Sequence, residues 1–283
     1  MSNLRTASAT LGLLVFSLAL PPGSFAATRA DCERIIKPES GQPGKDVIWV
    51  PTHDLLVTRM LTMAAVGKND LVYDLGAGDG KIAIAAAKQF GARAVGVEYN
   101  PDMARLGQCL AEAEGVADRV RIVQGDIFET DFSAATVVTL YLLPELNLRL
   151  RPTLLKMKPG TRVVSHSFTM DDWRPDEQTD DGSAYFWIVP ADVNGTWNFR
   201  RRNGDDRFTV RMKQIYQEVS GQTGNNRPLR EATLRGDQIN FTFEQEGRPA
   251  KFNGRVTGNS IEGTVTRGTE SAAYVGTRSG RTG

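Results

Sequence analysis

Apolar and polar positions alternate along residues 71–189 in a way that predicts strands and helices in turn. The apolar run 71–75 predicts a buried strand, and helical spacing of small and apolar residues over 81–90 predicts a helix. A second apolar run ends at Glu98, and Asn100 then supplies a cap for the next helix. This order predicts an α/β domain with a mainly parallel sheet. Further apolar runs predict strands at 120–123, 136–142, 161–168 and 184–189.

The pattern changes near Asp192, after which apolar residues recur at every second position, as in strands with one buried face. Turn sequences such as Asn203-Gly204 and Gly258-Asn259 separate these runs. We expect an antiparallel meander that closes as a small barrel or sandwich, with Trp197 and the phenylalanines in its core. The apolar positions are Phe208, Val210, Met212, Ile239, Phe241, Phe243, Phe252, Val256, Ile261 and Val265.

Residues 1–26 have the composition of a secretory signal peptide. Arg5 is their one charged residue, residues 11–20 are apolar, and small residues precede a cleavage position after Ala26. We therefore expect a secreted or periplasmic protein, with an uncleaved membrane anchor or an organellar transit peptide as alternatives. No other transmembrane segment is predicted. The rest of the chain divides into an N-terminal segment at 27–46, an α/β domain at 47–190 and a β domain at 191–283.

Composition and charge narrow the classes of function. The chain has 283 residues, of which 40% are hydrophobic and 24% charged, as in ordinary globular proteins. Residues 27–190 carry 18 basic and 23 acidic side chains, whereas residues 191–283 carry 15 basic and 10 acidic ones. Because no basic stripe is interleaved with aromatic residues, we expect no nucleic-acid partner.

The few cysteines and histidines give no spacing typical of a metal site, so we expect no bound metal. Cys32 and Cys109 are the two cysteines of the chain. In an oxidising compartment they would form one disulfide, and the alternative is two separate thiols.

The candidate chemistry lies at the end of the first predicted strand, where Gly76, Gly78 and Gly80 follow Asp74. Glycines at alternate positions let the backbone turn sharply and approach a ligand without a Cβ in the way. Glu98 follows 22 residues after Gly76, which is about the distance at which an acid of a βαβ unit meets ribose hydroxyls. The pattern therefore predicts a nucleoside ligand.

Asp74 and its G-x-G-x-G sequence strongly resemble motif I of the class I S-adenosylmethionine-dependent methyltransferases. Lys81 stands where a dinucleotide fingerprint needs glycine, and Asp74 would attract an ammonium group but repel a pyrophosphate. The Gly-Asp-Ile sequence ending at Ile127 matches the family's adenine contacts, an acid for the amino group and an apolar side chain on the ring. The resemblance implies S-adenosyl-L-methionine as cofactor. The expected cofactor-binding residues are Pro51, Thr52, Asp74, Gly76, Ala77, Gly78, Gly80, Glu98, Tyr99, Asp126 and Ile127.

A narrower resemblance covers about residues 47–189. The chain is similar to the mitochondrial lysine methyltransferases that modify the ATP synthase c subunit and the adenine nucleotide translocase, and to their bacterial relatives. The resemblance implies a monomer with a seven-stranded sheet that methylates lysine in small membrane proteins. The leader and the C-terminal region depart from this family. The matching motifs are Val50-Pro-Thr52, Asp74 to Lys81, Ala85-Ala-Ala-Lys88, Gly96 to Pro101, Tyr141-Leu-Leu-Pro144, and Val163 to Phe168 with Trp173.

The segment 47–52 precedes an amphipathic helix and is expected to lie across the cofactor site. Four residues of that helix are expected on its buried face: Leu55, Leu56, Met60 and Met63.

We therefore predict a Rossmann-like class I methyltransferase domain with an appended small antiparallel β domain. The expected activity is S-adenosylmethionine-dependent N-methylation of a protein lysine. Two alternatives stay open: a methyltransferase for small molecules, and a non-catalytic protein of the cell envelope that senses adenosyl ligands. No residue is assigned as the catalytic base, and Tyr141 and Glu145 are the candidates because they follow the end of a predicted strand.

Overall fold

The computed structural model describes residues 27–280, which form two separate β-sheets with five α-helices around the first. The helices are α1 (Arg29–Cys32), α2 (Asp54–Met63), α3 (Lys81–Phe90), α4 (Pro101–Ala113) and α5 (Pro144–Leu154). The first sheet contains β1 (Leu71–Leu75), β2 (Arg93–Glu98), β3 (Val120–Gln124), β4 (Val137–Leu140), β5 (Arg162–His166), β6 (Glu177–Gln178) and β7 (Ala184–Ile188). The predicted leader at 1–26 lies outside the described residues.

The seven strands of the first sheet lie in the order β3-β2-β1-β4-β5-β7-β6. Strands β1 to β5 pair in parallel, and β7 pairs antiparallel with β5. Strand β1 lies between β2 and β4, so the chain order reverses at β1 and leaves a crevice at its carboxyl end. In this register Asp74 lies beside Gly96 on one side and Thr139 on the other. The predicted α/β sheet of the class I methyltransferases is confirmed.

Helix α2 packs on the sheet through Val57, Met60 and Leu61, which are at most 1% exposed. These positions are three and four residues apart, so they share one face of the helix. The prediction that Leu55 lies on that face is wrong, because its side chain is 77% exposed. Leu55 is two residues before Val57, about 200° around the helix axis, and therefore points away from the sheet.

A disulfide between Cys32 and Cys109 joins α1 to α4, with a Cα–Cα distance of 5.5 Å. Arg29 reinforces the same contact through an ion pair with Glu114 at 2.9 Å. The segment 27–46, to which the sequence pattern assigned no role, is thereby attached to the methyltransferase sheet. After α1 the chain runs back over the carboxyl ends of the strands before α2 begins.

The second sheet is an antiparallel, nearly closed barrel of eight strands in which β8 pairs with β15. Trp197 and Phe199 are at most 1% exposed and alternate with outward-facing polar residues, as the period of two predicts. Of the two expected forms, barrel or sandwich, the barrel is found. Its strands are β8 (Gly195–Arg201), β9 (Arg207–Ile215), β10 (Glu218–Thr223), β11 (Arg230–Arg235), β12 (Gln238–Gln245), β13 (Arg248–Thr257), β14 (Ser260–Arg267) and β15 (Glu270–Gly280).

Two turns of the barrel contact the first sheet and its loops. In the β9–β10 turn, Gln217 accepts a hydrogen bond from the indole nitrogen of Trp173 at 3.0 Å. In the β11–β12 turn, the carbonyl of Gly236 accepts a hydrogen bond from the amide of Ala191 at 2.8 Å. Within residues 27–280, none of the helices has both the length and the apolar character of a membrane span.

Candidate active site

A cavity of about 690 Å³ opens at the carboxyl ends of β1, β2 and β4, beneath residues 42–52. We call residues 42–52 the strap. The volume lies in the range of small-molecule and cofactor sites. Besides the strap, the cavity is lined by Asp74, Gly76, Ala77, Asp79, Lys81, Ile82, Glu98, Tyr99, Asn100, Met103, Asp126, Ile127, Tyr141, Leu142, Leu143, Leu146 and Phe168.

The turn after β1 presents main chain to this cavity. The amides of Gly76 and Ala77 donate to the carbonyl of Val97 at 2.9 and 3.0 Å, which fixes the turn against β2. Gly76 has φ +83°, and a Cβ there would lie 2.9 Å from the side chain of Leu142. Only glycine adopts this conformation without strain and leaves the cavity open.

The strap lies directly on this turn. Gly78 has φ +56°, and a Cβ there would come within 2.4 Å of the indole nitrogen of Trp49. The ring of Trp49 therefore packs against a bare backbone. A side chain at position 78 would displace the strap from the glycine turn.

Asp74 is 2% exposed and lines the floor of the cavity. Its Oδ1 accepts a hydrogen bond from the hydroxyl of Thr139 at 2.6 Å. Burial raises the pKa of Asp74 to about 7, against the lowering effect of the Thr139 hydrogen bond, and the nearby acids Asp79 and Glu98 add to the rise. A buried carboxyl group with this pKa is suited to receive a cation from the cavity.

Glu98 is the last residue of β2, and its carboxylate accepts hydrogen bonds from two backbone amides. Its Oε2 accepts from the amide of Gly78 at 2.8 Å, and its Oε1 accepts from the amide of Asn100 at 2.8 Å. Each carboxylate oxygen retains a lone pair that neighbouring hydroxyl groups can use. Glu98 therefore braces the glycine turn and also offers acceptors to a ribose.

Asp126 lies on the opposite side of the cavity, where Lys45 of the strap binds it with 2.5 Å between Nζ and Oδ2. The hydrogen bond from Lys45 holds the pKa of Asp126 below its usual value, so the group is ionised. The ammonium of Lys45 also lies 4.8 Å from the centroid of the Tyr99 ring. Ile127 follows Asp126 in the lining and supplies an apolar contact for a base.

The remaining wall, near the end of β4, is aromatic and apolar. Tyr141 stacks on His166 with ring centroids 3.7 Å apart, and Phe168 lies 6.4 Å from Tyr141. The hydroxyl of Thr52 lies 3.1 Å from Nδ1 of His166. Burial lowers the pKa of His166, so the imidazole is neutral near pH 7.

Nine of the eleven residues expected to bind the cofactor line this cavity: Pro51, Thr52, Asp74, Gly76, Ala77, Glu98, Tyr99, Asp126 and Ile127. Gly78 lies beneath Trp49, and Gly80 packs against Ile122 and Gly107, so these two shape the turn without lining the cavity. Of the two candidates for the catalytic base, Tyr141 lines the cavity, whereas Glu145 is exposed and does not.

The sequence pattern assigned no role to the residues of the strap before Val47 or to Lys81 as a contact of the strap. Lys81 begins α3, and its Nζ lies 3.2 Å from the carbonyl of Thr52 and 3.0 Å from Asp54. It therefore attaches the end of the strap to the glycine turn. The place of Lys81 directly after the glycines was the one indication of such a role in the sequence.

These residues fit S-adenosylmethionine group by group. Asp74 suits the ammonium of the methionine part, Glu98 suits the ribose hydroxyls, and Asp126 with Ile127 suits the adenine. The glycine turn provides the cradle of bare backbone that a side chain would fill. Together the sheet and the site define a class I S-adenosylmethionine-dependent methyltransferase.

Comparison with known proteins supports this class. Residues 74–177 match the family model of the ANTKMT methyltransferase domain. A protein-lysine N-methyltransferase of Saccharolobus islandicus is 50% identical over 151 residues, covering 50% of this chain and 94% of that relative. The human lysine N-methyltransferase named for the ATP synthase c subunit is 31% identical over 144 residues, covering 50% of this chain. The match spans 61% of the length of the human relative.

A crystal structure described as an RNA methyltransferase from Salinibacter ruber, bound to S-adenosyl-L-homocysteine, is also similar. It has a TM-score of 0.50 and 50% identity, and the match covers 51% of this chain and 96% of that one. The chain therefore belongs to the S-adenosylmethionine-dependent methyltransferase family that includes the Saccharolobus islandicus enzyme. It is an enzyme, and its cofactor is S-adenosylmethionine.

Proposed function

We propose that this methyltransferase transfers the methyl group to the side-chain amine of a protein lysine. The observation that carries the proposal is the uncharged wall of the cavity near Tyr141, built with Leu143, Leu146 and Phe168. Such a wall accommodates the apolar stem of a lysine side chain and desolvates its amine. The names of the Saccharolobus islandicus and human relatives support the same acceptor.

When bound, S-adenosylmethionine supplies a methyl group on a positively charged sulfur. An acceptor lysine would first give its proton to solvent, so that the nitrogen lone pair could take up that methyl group while the electron pair of the carbon–sulfur bond stays on sulfur. The apolar wall contributes by lowering the pKa of the amine below its reference value of about 10.4. Alignment of the nitrogen with the methyl carbon supplies most of the remaining rate enhancement.

The net negative charge of residues 27–190 favours a protein acceptor over RNA. Residues 27–190 carry 18 basic and 23 acidic side chains, so this part of the chain repels a polyanion and attracts a cationic lysine. The name of the Salinibacter ruber structure makes RNA the rival acceptor that an experiment has to address. A small-molecule acceptor is the second rival, and the same experiment separates it from protein and RNA.

The test is methyl transfer by residues 27–283 to a fractionated extract of the protein's own cells, with methyl-labelled cofactor. We expect label in protein that protease removes and ribonuclease leaves, and no label with the Glu98→Ala variant. Label that ribonuclease removes would contradict a protein acceptor. Label only in small molecules would support a metabolite acceptor, and cofactor binding without label in any protein would contradict a protein acceptor.

We further propose that the protein is exported after cleavage of residues 1–26 and acts as a monomer. The disulfide between Cys32 and Cys109 supports export, because such bonds persist in oxidising compartments. The resemblance to the mitochondrial lysine methyltransferases implies a monomer. Cell fractionation is expected to place a shortened chain in the periplasm or medium, and a full-length chain in the cytosol would contradict export.

A further inference from the structure

His166 lies behind two residues that line the cavity, without lining it itself. Its Nδ1 lies 3.1 Å from the hydroxyl of Thr52, and its ring stacks on Tyr141 at 3.7 Å between centroids with 28° between the planes. Thr52 comes from the strap and Tyr141 follows β4, whereas His166 ends β5. One imidazole therefore connects three separate parts of the wall.

The backbone of Ser167 and Phe168, which follow His166, holds the imidazole ring in this position. Ser167 has φ +61°, a conformation that residues other than glycine seldom adopt. Its amide donates to the carbonyl of Ser183 at 2.9 Å, and the amide of Phe168 donates to the carbonyl of His166 at 2.8 Å. Backbone of this kind persists where the surrounding structure enforces it, and such positions cluster at functional sites. Here it sends Phe168 into the cavity and keeps His166 behind the wall.

Thr52 is held at both its polar groups. Its side chain is bound by His166, and its carbonyl accepts from Nζ of Lys81 at 3.2 Å. Thr52 is 5% exposed and lines the cavity, so its hydroxyl oxygen retains a lone pair that an amine N–H in the cavity can use. Because the imidazole is uncharged, it fixes this hydroxyl without placing a cation beside the incoming amine.

We propose that His166 is a positioning residue that fixes the Thr52 hydroxyl and the Tyr141 ring, so that they orient the acceptor amine toward the transferred methyl group. The inference rests on the proposed function and extends it to the orientation of the acceptor. Small displacements of a reacting group are costly, since about 1 Å of misplacement can reduce the rate about 100-fold. A loss of positioning should therefore lower kcat while the Kd for the cofactor changes little.

The kinetic test compares His166→Phe, which keeps a ring for stacking but loses the hydrogen bond, with His166→Asn, which can still reach Thr52. The acceptor is the extract fraction that the wild type labels. We expect His166→Phe to lower kcat about 10- to 100-fold with a change of less than about threefold in the Kd for S-adenosylhomocysteine. His166→Asn should recover part of that loss, and Glu112→Ala, which removes an exposed acid of α4, serves as the control.

The coupling of the two side chains is tested with Thr52→Val. Because His166 acts through Thr52, the double variant should be no slower than the slower single variant. Multiplicative losses of kcat, or a fall in kcat that is matched by weaker cofactor binding, would overturn the inference.

An NMR measurement that needs no acceptor tests the role of His166 separately from the proposed lysine acceptor. The chain has two histidines, so the imidazole ¹⁵N spectrum of the complex with S-adenosylhomocysteine contains two rings, and His166→Phe assigns them. We expect the pKa of the His166 ring to lie below the ordinary value of a histidine because the ring is half-buried, and its Nδ1 resonance to shift in Thr52→Val. An unchanged resonance would overturn the inference. Failure of the wild type to label any protein would instead overturn the proposed function.

Discussion

Replacing Glu98 with alanine is expected to weaken the binding of S-adenosylhomocysteine by about 100-fold or more. In the proposed binding mode the carboxylate accepts hydrogen bonds from the ribose hydroxyls, and each hydrogen bond to a charged group contributes about 1.5 to 3 kcal/mol. Two such bonds correspond to at least about 100-fold in Kd. The variant also frees the amide of Gly78, so the glycine turn loses part of its support.

Isothermal titration calorimetry with S-adenosylhomocysteine measures this effect. Glu98→Gln is expected to bind more tightly than Glu98→Ala, because its amide oxygen still accepts one hydrogen bond. Glu112→Ala removes an exposed acid from α4 and should leave the affinity unchanged. An affinity of Glu98→Ala within about threefold of the wild type would show that the ribose does not bind at the end of β2.

Replacing Asp74 with asparagine is expected to weaken cofactor binding about 10- to 100-fold near pH 7.5, through loss of one charge-assisted bond to the ammonium group. It should also change the pH dependence of binding. In the free enzyme the pKa of Asp74 is raised to about 7, so below that pH the carboxyl must release a proton before it pairs with the cation. The wild-type affinity should therefore fall up to tenfold for each pH unit below about 7.

Titrations from pH 5.5 to 8 should give a wild-type affinity that rises up to about pH 7 and then stays level. Asp74→Asn should lack the acidic limb. A wild-type affinity that does not change between pH 5.5 and 7 would contradict the assignment of Asp74 to the ammonium group.

The stability of the cofactor-free protein should fall as the pH rises, whereas the affinity for the cofactor rises up to about pH 7. The pKa of Asp74 is higher in the folded protein than its usual value of 3.8, so the folded state binds the proton more tightly. Its contribution to stability is fully present below about pH 3.8 and is lost as the pH rises through about 7. Asp74→Asn should therefore melt above the wild type at pH 8, which would show that this carboxylate is retained for binding.

Much of the fold could be predicted from local patterns. The apolar run before Gly76 and the small residues after Gly80 predict strand, turn and helix, because glycines and periodicity act over a few residues. The spacing from Gly76 to Glu98 places the acid at the end of the neighbouring strand because a βαβ unit has a nearly fixed length. In the barrel, strict alternation around Trp197 predicts which residues face inward.

Contacts between distant segments could not be predicted in this way. The disulfide from Cys32 to Cys109 and the ion pair of Lys45 with Asp126 span 77 and 81 residues. The two cysteines of the chain allow one pairing, but the local sequence does not decide whether they meet. Nothing in it selects Asp126 as the partner of Lys45, because a short charged segment can pack in many places. For the same reason Leu55 was assigned to the buried face: its apolar character is visible in the sequence, but the direction that the helix presents to the sheet is not.

The candidate site likewise combines residues that local sequence patterns predict with contacts between distant segments that they do not predict. Asp74 and Asp126 could be predicted because each lies at or shortly after the carboxyl end of a strand in a family motif. The link from Thr52 to His166 spans 114 residues and depends on how the strap lies over β5. Sequence alone therefore predicts the residues that line the cavity more completely than the contacts behind its wall.

The activity proposed for this enzyme is transfer of a methyl group from S-adenosylmethionine to a protein lysine. The most direct test is total hydrolysis of the material labelled by the wild type, followed by chromatography of the labelled products against methylated amino-acid and nucleoside standards. We predict that the label elutes as Nε-methylated lysine and is absent from the Glu98→Ala reaction. Label in a methylated nucleoside, or in an amino acid other than lysine, would show that the acceptor is not a protein lysine.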